Sequence, residues 1–220
     1  SLEETSYTEE NYLKAIFKLF ERQEKSVSTN SIAAEMTTSA ASVSDMLKKL
    51  KEKDLIHYEK YRGVTLTDSG NAIATRLIRR HRLWEVFLVE KLDFSWDEIH
   101  EIAEELEHIN SSKLTDSLDT FLGFPKFDPH GDPIPDKDGK FTTRKQVLLS
   151  ETKEKKGIIV GVNEHSTAFL QQLDRLKLVL GTPVEILEKF EYDGSIQIKI
   201  NNEITQTISG KMAQNIFIKC

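Results

Sequence analysis

The sequence is poor in cysteine, and it lacks long apolar runs. Cys220 is the single cysteine among 220 residues. A disulfide within the chain and a Cys-rich zinc site are therefore both excluded. No apolar run approaches the roughly 18 residues that a membrane-spanning helix needs, and the acidic start of the chain is unlike a secretory signal. We expect a soluble protein of the reducing cytoplasm, with no membrane partner.

Charge is abundant by comparison. Charged residues make up 30% of the chain and hydrophobic residues 38%, with a formal net charge of −6. This length is enough for one large domain or a few small ones, each with its own core. The net negative charge argues against a protein that coats itself in nucleic acid, but it leaves room for a local basic surface.

Residues 1–72 predict a winged helix-turn-helix domain. A Ser6-x-x-Glu9 capping box opens a first helix, and a short second helix begins near Ser28. A third helix follows a polar break. Two short strands then turn at Gly63, which tolerates a positive φ. Helix, short helix, turn, helix and hairpin is the outline of this DNA-binding fold.

The rest of the chain predicts two further domains. Residues 73–145 carry helical periodicity, including a helix over 96–109 that Ser95-x-x-Glu98 opens, and end in a linker rich in proline and glycine. Residues 146–220 alternate short strands with turns, which is typical of a small β-barrel. The predicted class is mainly α with a small β domain.

The third helix has the composition of a DNA-contacting element. Its first turns carry hydroxyls and alanines, whose small side chains let the backbone approach a groove. Residues 48–62 have a formal charge of +3 on an acidic chain, which suits contacts to phosphates. A solvated helix face with ordinary lysines is the alternative. The candidate DNA contacts are Ser39, Ala41, Ser42, Ser44, Lys48, Lys49, Lys60 and Arg62.

A stripe of metal-ligand types lies on the predicted 96–109 helix. At helical spacing Glu104, Glu107 and His108 share one face, with His100 one turn before them. Two carboxylates and an imidazole would repel one another unless a cation neutralised them. Oxygen and nitrogen ligands without thiolate suit Mn²⁺ or Fe²⁺, and Zn²⁺ can bind such a set. A solvent-facing acidic helix is the alternative.

Other ligand types lie elsewhere in the chain. His81 and Glu85 are four residues apart on a predicted helix and share a face. Asp128 and His130 in the linker, and His165 after a predicted strand, offer further oxygen and nitrogen donors. Taken singly, His130 and His165 are better explained by a structural role than by metal binding, whereas the two interpretations are about equal for the pair His81 and Glu85.

Taken together, these motifs resemble the diphtheria-toxin-repressor family of iron- and manganese-dependent transcriptional repressors, and its manganese-sensing branch in particular. The resemblance follows the family's order along most of the chain, and it is weaker in the last third. It is carried by the stretches Thr8–Leu13, Glu59–Thr67, Arg80–Glu85, Glu104–His108 and Asp132–Pro135.

The resemblance implies a fold and two metal positions. The fold would be a winged helix-turn-helix, a helical dimerisation domain and a C-terminal SH3-like domain. A regulatory site would draw on Asn11 with the three ligands of the 104–108 stripe. Asn11 supplies a carbonyl oxygen without charge, where many members have Asp or Met. The second site would use His81 and Glu85, completed in some members by His100 and in others by residues of the linker and barrel, here Asp128, His130 and His165.

The resemblance also implies a function. The chain is expected to be a homodimer that represses metal-uptake genes by binding a pseudo-palindromic operator in double-stranded DNA when loaded with Mn²⁺ or Fe²⁺. No small organic substrate and no enzyme activity are expected. Two alternatives stay open: a di-iron carboxylate enzyme, suggested by Glu105-x-x-His108, and a winged-helix DNA-binding protein that needs no metal.

Overall fold

The computed structural model describes residues 4–23 and 26–220. The chain divides into two compact units. Unit 1 comprises Ser1–His81, Leu106–Ser112 and Pro135–Lys140, and unit 2 comprises Arg82–Glu105, Lys113–Ile134 and Phe141–Cys220. Within the described part of the chain, no helix is long and apolar enough to cross a membrane. The three domains 1–72, 73–145 and 146–220 stay a prediction.

Unit 1 contains the winged helix-turn-helix. Its elements follow the order expected from the sequence, and the last helix continues into unit 2. The elements are α1 (Tyr7–Gln23), α2 (Thr29–Met36), α3 (Ala40–Glu52), β1 (Ile56–Glu59), β2 (Gly63–Leu66) and α4 (Asp68–Leu92).

Serine side chains fix the starts of the first three helices. In the capping box of α1, the Ser6 amide donates to the Glu9 carboxylate and the Glu9 amide donates to the Ser6 hydroxyl, each at 3.1 Å. Ser28 accepts from the Ser31 amide before α2, and Ser39 accepts from the Ser42 amide before α3. These caps satisfy amides that would otherwise lack a partner at the helix ends.

The hairpin closes over the core of unit 1. Strands β1 and β2 pair antiparallel from Ile56 opposite Leu66 to Glu59 opposite Gly63. Gly63 has φ of +89°, which a residue without Cβ adopts at little cost. Its neighbour Val64 is fully buried in a cluster that α1, α2 and α3 also supply. Burial of this face orients the opposite face of α3 toward solvent.

The first helix after α4 is shorter than the sequence pattern suggests. α5 spans His100–Leu106 and α6 spans Ser112–Phe121. The Ser95 amide does donate to the Glu98 carboxylate at 3.0 Å. The carbonyl of Trp96, however, accepts from the side chain of His130 at 2.7 Å instead of from a helix amide, and residues 96–99 form turns. The expected helix over 96–109 is therefore wrong at both ends.

Unit 2 also holds an antiparallel sheet of six strands in the order β3-β8-β4-β5-β6-β7. The alternation of short strands and turns expected for residues 146–220 is present. The elements are β3 (Val147–Leu148), β4 (Lys156–Val162), α7 (Thr167–Arg175), β5 (Pro183–Lys189), β6 (Ile196–Ile200), β7 (Ile204–Ile208), α8 (Gly210–Ala213) and β8 (Ile216–Lys219).

Alternation along the central strands builds the core of this sheet. On β6, Ile196, Ile198 and Ile200 are buried while the residues between them are partly exposed. They pack in one cluster with Phe169 and Leu170 of α7. The cluster gives the last third of the chain a core of its own, and the Trp96 side chain packs against it.

Candidate metal centre and DNA-contacting face

Three buried side chains that can bind metal lie close together, one on α4 and two in the loop that follows α6. One ligand atom from each of Glu85, Asp128 and His130 lies within 4.8 Å of the others. Exposure is 2% for Glu85, 4% for Asp128 and 0% for His130. Two carboxylates and an imidazole so deeply buried need a cation or protons to balance their charge.

The loop around Asp128 leaves one carboxylate oxygen available. Oδ1 accepts hydrogen bonds from the backbone amides of His130 and Asp132, each at 2.9 Å. Oδ2 is buried and has no hydrogen-bond partner among the described residues. A buried oxygen without a partner is rare in a folded protein, and a bound cation is one way to satisfy it. Either a proton or a bound cation would satisfy this oxygen, so the residues present are compatible with a metal ion.

His130 is held with one ring nitrogen turned toward the two acids. Its Nε2 atom lies 2.7 Å from the carbonyl oxygen of Trp96. Because a carbonyl only accepts, Nε2 carries the proton of this bond. The Nδ1 atom then faces Glu85 Oε2 at 3.3 Å. In the neutral ring Nδ1 bears the lone pair, which is the form that binds a metal.

The pKa values of this cluster reflect the same imbalance of charge. Burial, together with the charges of Asp132 and Glu85, raises the pKa of Asp128 well above its ordinary value. Burial alone would lower the pKa of His130, but Glu85 and Asp128 outweigh it and raise that pKa to about 9. The directions of both shifts show that burial and mutual charge favour uptake of protons by Asp128 and His130 in the metal-free protein.

Gly131 allows the loop to pack against strand β4. Its φ is +86°, and a Cβ added there would lie 2.1 Å from the carbonyl oxygen of Val160. The Val162 amide donates to the carbonyl of His130 at 3.0 Å in the same region. The site loop is thus fixed to the sheet through backbone contacts that only glycine permits.

His165 lies beside this cluster. Its ring stacks on that of His130 with centroids 4.2 Å apart, and its Nε2 atom is 3.4 Å from Asp132 Oδ2. These three residues also bring one ligand atom each within 4.8 Å of one another. His130 therefore belongs to both ligand groups, and Asp132 is a ligand type that the sequence analysis did not single out.

A second set of charged side chains is buried in unit 1. Glu107 is fully buried, with Oε1 2.7 Å from Lys14 Nζ and Oε2 2.8 Å from His81 Nδ1. Burial alone would raise the pKa of Glu107, but His81 and Lys14 outweigh it and lower the pKa below its ordinary value. Glu107 is thus held as a carboxylate, the form that a metal requires.

His108 lies next to this group. Its Nδ1 atom is 3.3 Å from Glu10 Oε2, and its ring stacks on Tyr7 with centroids 4.4 Å apart. Its Nε2 atom is 3.8 Å from Glu107 Oε1. The structure therefore brings Glu107 and His108 together, and it adds Glu10 as a carboxylate from α1. Asn11, the next residue on that helix, is partly buried.

The remaining predicted ligands of α5 are accessible. Glu104 Oε1 lies 3.0 Å from His100 Nε2, with side chains 48% and 39% exposed. Because α5 ends at Leu106, Glu107 and His108 lie in a turn beyond the helix. The shared helical face expected for Glu104, Glu107 and His108 is therefore wrong, although the ligand assignment stays a prediction.

The predicted DNA-contacting residues lie on one exposed part of unit 1. Ser39, Ala41 and Ser42 at the start of α3 are exposed, and Ser44 is partly exposed. Lys48 and Lys49 further along α3, and Lys60 and Arg62 in the hairpin turn, are exposed as well. Arg62 pairs with Glu59 at 3.2 Å, and Lys53, which is not among the predicted contacts, pairs with Glu9 at 2.9 Å.

Family models match three consecutive parts of the chain. Residues 4–64 match the N-terminal DNA-binding domain of iron-dependent repressors. Residues 67–136 match their metal-binding and dimerisation domain, and residues 147–220 match the FeoA domain. These matches agree with the predicted winged helix-turn-helix, helical dimerisation domain and C-terminal SH3-like domain.

A full-length relative decides the family. The diphtheria toxin repressor of Corynebacterium jeikeium is 30% identical over 210 residues, which cover 94% of this chain and 78% of that protein. The chain belongs to the iron-dependent repressor family. The iron-dependent repressor IdeR of Mycobacterium tuberculosis is 32% identical over 128 residues, 58% of this chain and 55% of that repressor. A probable metal transport membrane protein of Chlamydia trachomatis shares 48% identity over 71 residues, and the chain spans 16% of its length.

Solved structures of manganese regulators share the whole fold of this family member. A manganese-dependent transcriptional repressor in complex with manganese is 36% identical, with a TM-score of 0.86 over 96% of this chain and 98% of that one. The manganese regulator SloR is 36% identical, with a TM-score of 0.78 over 96% and 97%. ScaR with bound Zn²⁺ is 34% identical, with a TM-score of 0.79 over 96% and 98%. The predicted fold class and the family resemblance are therefore confirmed.

Three side chains of this repressor-family chain escaped the sequence analysis. They are Lys14, which pairs with Glu107; Glu10, which contacts His108; and Asp132, which lies beside His165. The signal for Lys14 was a single charge at position 14 inside the apolar stripe of α1, between the buried Leu13 and Ile16. Glu10 and Asp132 carry no comparable signal, because acidic residues are common along the whole chain.

Proposed function

We propose that this chain is a metal-activated transcriptional repressor that binds operator DNA as a homodimer when loaded with Mn²⁺ or Fe²⁺. One observation carries the proposal. The chain has a buried cluster of Glu85, Asp128 and His130 whose charge calls for a cation, and it also has an exposed helix-turn-helix face. The metal would supply positive charge and fix the ligands that bind it.

The first proposed metal position uses Glu107 and His108, with Asn11 and Glu104. Support comes from the ionised, fully buried carboxylate of Glu107 and from the 3.8 Å separation between its Oε1 atom and His108 Nε2. Glu10 is a further donor, since its carboxylate already contacts His108 at 3.3 Å. An additional carboxylate would compensate for the missing charge of Asn11.

The second proposed position is centred on Glu85, Asp128 and His130. His165 is the proposed fourth ligand, because its ring stacks on His130. His81 lies one helical turn before Glu85 on α4, and with His100 it is the other set that the family resemblance implies. We favour the set that contains Asp128 because its Oδ2 atom is buried without a hydrogen-bond partner.

Oxygen-rich ligands favour a hard divalent ion. The favoured second set has two carboxylates and imidazole nitrogen but no thiolate, which suits Mn²⁺ and Fe²⁺. Solved relatives were crystallised with manganese, with Zn²⁺ and with Cd²⁺. We propose Mn²⁺ or Fe²⁺ as the activating ion, with Zn²⁺ able to replace it in vitro.

We propose that a homodimer binds DNA through two copies of this DNA-contacting face. A homodimer would present two copies of α3, whose Ser39–Ser44 turn reaches base edges and phosphates while Lys48 and Lys49 contact the backbone. Two-fold symmetry of the protein then requires a pseudo-palindromic operator. The proposed targets are metal-uptake genes, and the proposed location is the cytoplasm, where that DNA lies.

Binding of metal and binding of operator DNA are thermodynamically coupled in this proposal. If metal-loaded protein binds operator more tightly by a given factor, operator must tighten metal binding by the same factor. We propose a regulator and no enzyme activity. Dioxygen consumption by the iron-loaded protein, without any DNA binding, would favour the di-iron alternative.

Replacement of the ligands tests the proposal. His108→Ala and Glu104→Ala should abolish Mn²⁺-dependent DNA binding in a gel-shift assay while the dimer persists in analytical ultracentrifugation. His57→Ala is the matched control, because His57 is an exposed histidine on β1 outside the proposed ligand sets. DNA binding by His108→Ala with the metal dependence of the parent protein would show that the first site is misassigned.

A further inference from the structure

The charge on Glu107 is already balanced by side chains of the protein. Its two oxygens contact Lys14 Nζ at 2.7 Å and His81 Nδ1 at 2.8 Å. Lys14 is itself buried, with 7% exposure, so its ammonium group has left bulk water for this contact. A buried pair at such a distance is far less screened by solvent than a surface salt bridge.

Lys14 approaches from the helix that also carries Asn11 and Glu10. Asn11 and Lys14 are three residues apart on α1, so they lie on adjacent turns of one face. The ammonium group thus reaches the carboxylate from the side on which α1 ligands are proposed to bind metal. The Lys14 ammonium group is therefore a monovalent cation, covalently part of the chain, that occupies the Glu107 oxygen to which a divalent ion would bind.

We propose that Lys14 is an internal competitor of the metal ion at Glu107. In the metal-free protein its ammonium group is the counterion of the carboxylate. A divalent ion that binds Glu107 must displace this ammonium group from Oε1, and the displacement lowers the affinity of the site for metal. The inference rests on the proposed function, because it takes Glu107 to be a metal ligand.

This arrangement sets the metal concentration at which the site fills. Because Lys14 pairs with Glu107, the charge of the buried carboxylate is compensated in the metal-free protein. The metal-free fold therefore keeps its stability. Without Lys14, the ion would no longer have to displace an ammonium group from Oε1, although His81 would still contact Oε2. The expected change is about 10- to 100-fold in affinity, the range of one charge-assisted hydrogen bond at 1.4 kcal/mol per factor of ten.

The experiment is a double-mutant cycle on the full-length protein. Lys14→Met, Glu107→Gln and the double variant are compared in an Asp128→Asn background, which silences the second proposed site. Free Mn²⁺ is measured by electron paramagnetic resonance, and the Mn²⁺-induced rise in Tm is measured in parallel. Lys137→Met is the control for loss of an exposed lysine from the same unit.

The expected result has three parts. Lys14→Met binds Mn²⁺ about 10- to 100-fold more tightly, its Tm rises more on addition of Mn²⁺, and the gain disappears when Glu107→Gln is also present. Lys14→Arg keeps the charge and should retain the parent affinity. If Lys14→Met does not fold, Lys14→Gln, which keeps a hydrogen-bond donor without the charge, should show the same gain.

Two results would overturn the inference, and they differ in meaning. Unchanged or weaker Mn²⁺ binding by folded Lys14→Met, with Mn²⁺ still lost in Glu107→Gln, would make Lys14 a structural partner while leaving the proposed function intact. Unchanged Mn²⁺ binding by Glu107→Gln alone would remove Glu107 from the ligands. That second result contradicts the inference and the first metal position of the proposed function together.

Discussion

The Oε2 atom of Glu85 lies 3.3 Å from the Nδ1 atom of His130, in a part of unit 2 where both side chains are buried. Asp128 adds a second carboxylate, whose Oδ2 atom has no hydrogen-bond partner among the described residues. This group of side chains binds either protons or a metal ion. The difference between these two states leads to the first two predictions.

Replacement of Asp128 by Asn should remove metal binding at this position. Asn retains the oxygen that accepts from the His130 and Asp132 amides, but it lacks the charge. We expect Mn²⁺ stoichiometry to fall by one ion per chain in calorimetry. The metal-free protein should lose no stability and should gain up to ~1 kcal/mol, because burial raises the pKa of Asp128 and makes its ionised form costly in the folded state. Asp138→Asn, at an exposed position, is the control; unchanged stoichiometry in Asp128→Asn would contradict the assignment.

Metal binding to His130 should release a proton. Its pKa is raised to about 9, so the ring is protonated at pH 7 in the metal-free protein. A proton and a metal ion compete for Nδ1, so affinity for Mn²⁺ should increase as pH rises from 6 toward 9. Calorimetry in buffers of different ionisation enthalpy measures the protons released. Binding without proton release at pH 7 would exclude His130 as a ligand.

Gly131→Ala should disrupt the same loop through the backbone. The added Cβ would lie 2.1 Å from the Val160 carbonyl oxygen, at a φ of +86°. Gly123→Ala is a matched control, because Gly123 also has a positive φ, +77°, but nothing lies within 4 Å of its added Cβ. We expect Gly131→Ala to lose ~2–4 kcal/mol in urea unfolding, and Gly123→Ala about 1 kcal/mol. Equal losses would show that the contact with Val160 does not fix the loop.

Removal of basic side chains from the DNA-contacting face should weaken binding to every sequence alike. Lys48→Ala and Arg62→Ala each remove an exposed charge, and each should lower the slope of log affinity against log salt by about 1. Fluorescence anisotropy across a range of salt concentrations gives that slope. Lys137→Ala should leave the slope unchanged. A normal slope for both test variants would place the DNA-contacting face elsewhere.

Local signals in the sequence predicted most of the fold. Ser6 and Glu9, Ser28 and Ser39 act through contacts within a few residues, so their helix starts follow from spacing alone. The predicted start of the 96–109 helix was wrong because the carbonyl of Trp96 accepts from the side chain of His130, a partner 34 residues away. A local sequence pattern does not indicate a partner so far along the chain.

The candidate site shows the same limit. Spacing identified Glu107 and His108 as ligand types, but it gave no indication that Lys14, 93 residues from Glu107, neutralises that carboxylate. The repulsion expected among the ligands of the metal-free protein is therefore reduced at Glu107. Asp128 and His130 were identified by type and family resemblance, whereas their burial and the orphaned Oδ2 atom required the three-dimensional structure.

In the proposed function, metal controls DNA binding by this chain. The direct test selects a duplex from a random pool in the presence of Mn²⁺, then measures its affinity with Mn²⁺, with Fe²⁺, with Zn²⁺ and with a strong chelator. We predict a pseudo-palindromic duplex that binds at least 100-fold more tightly with Mn²⁺ or Fe²⁺ than with the chelator. Equal affinity in Mn²⁺ and in chelator would contradict the account and favour a winged-helix protein that acts without metal.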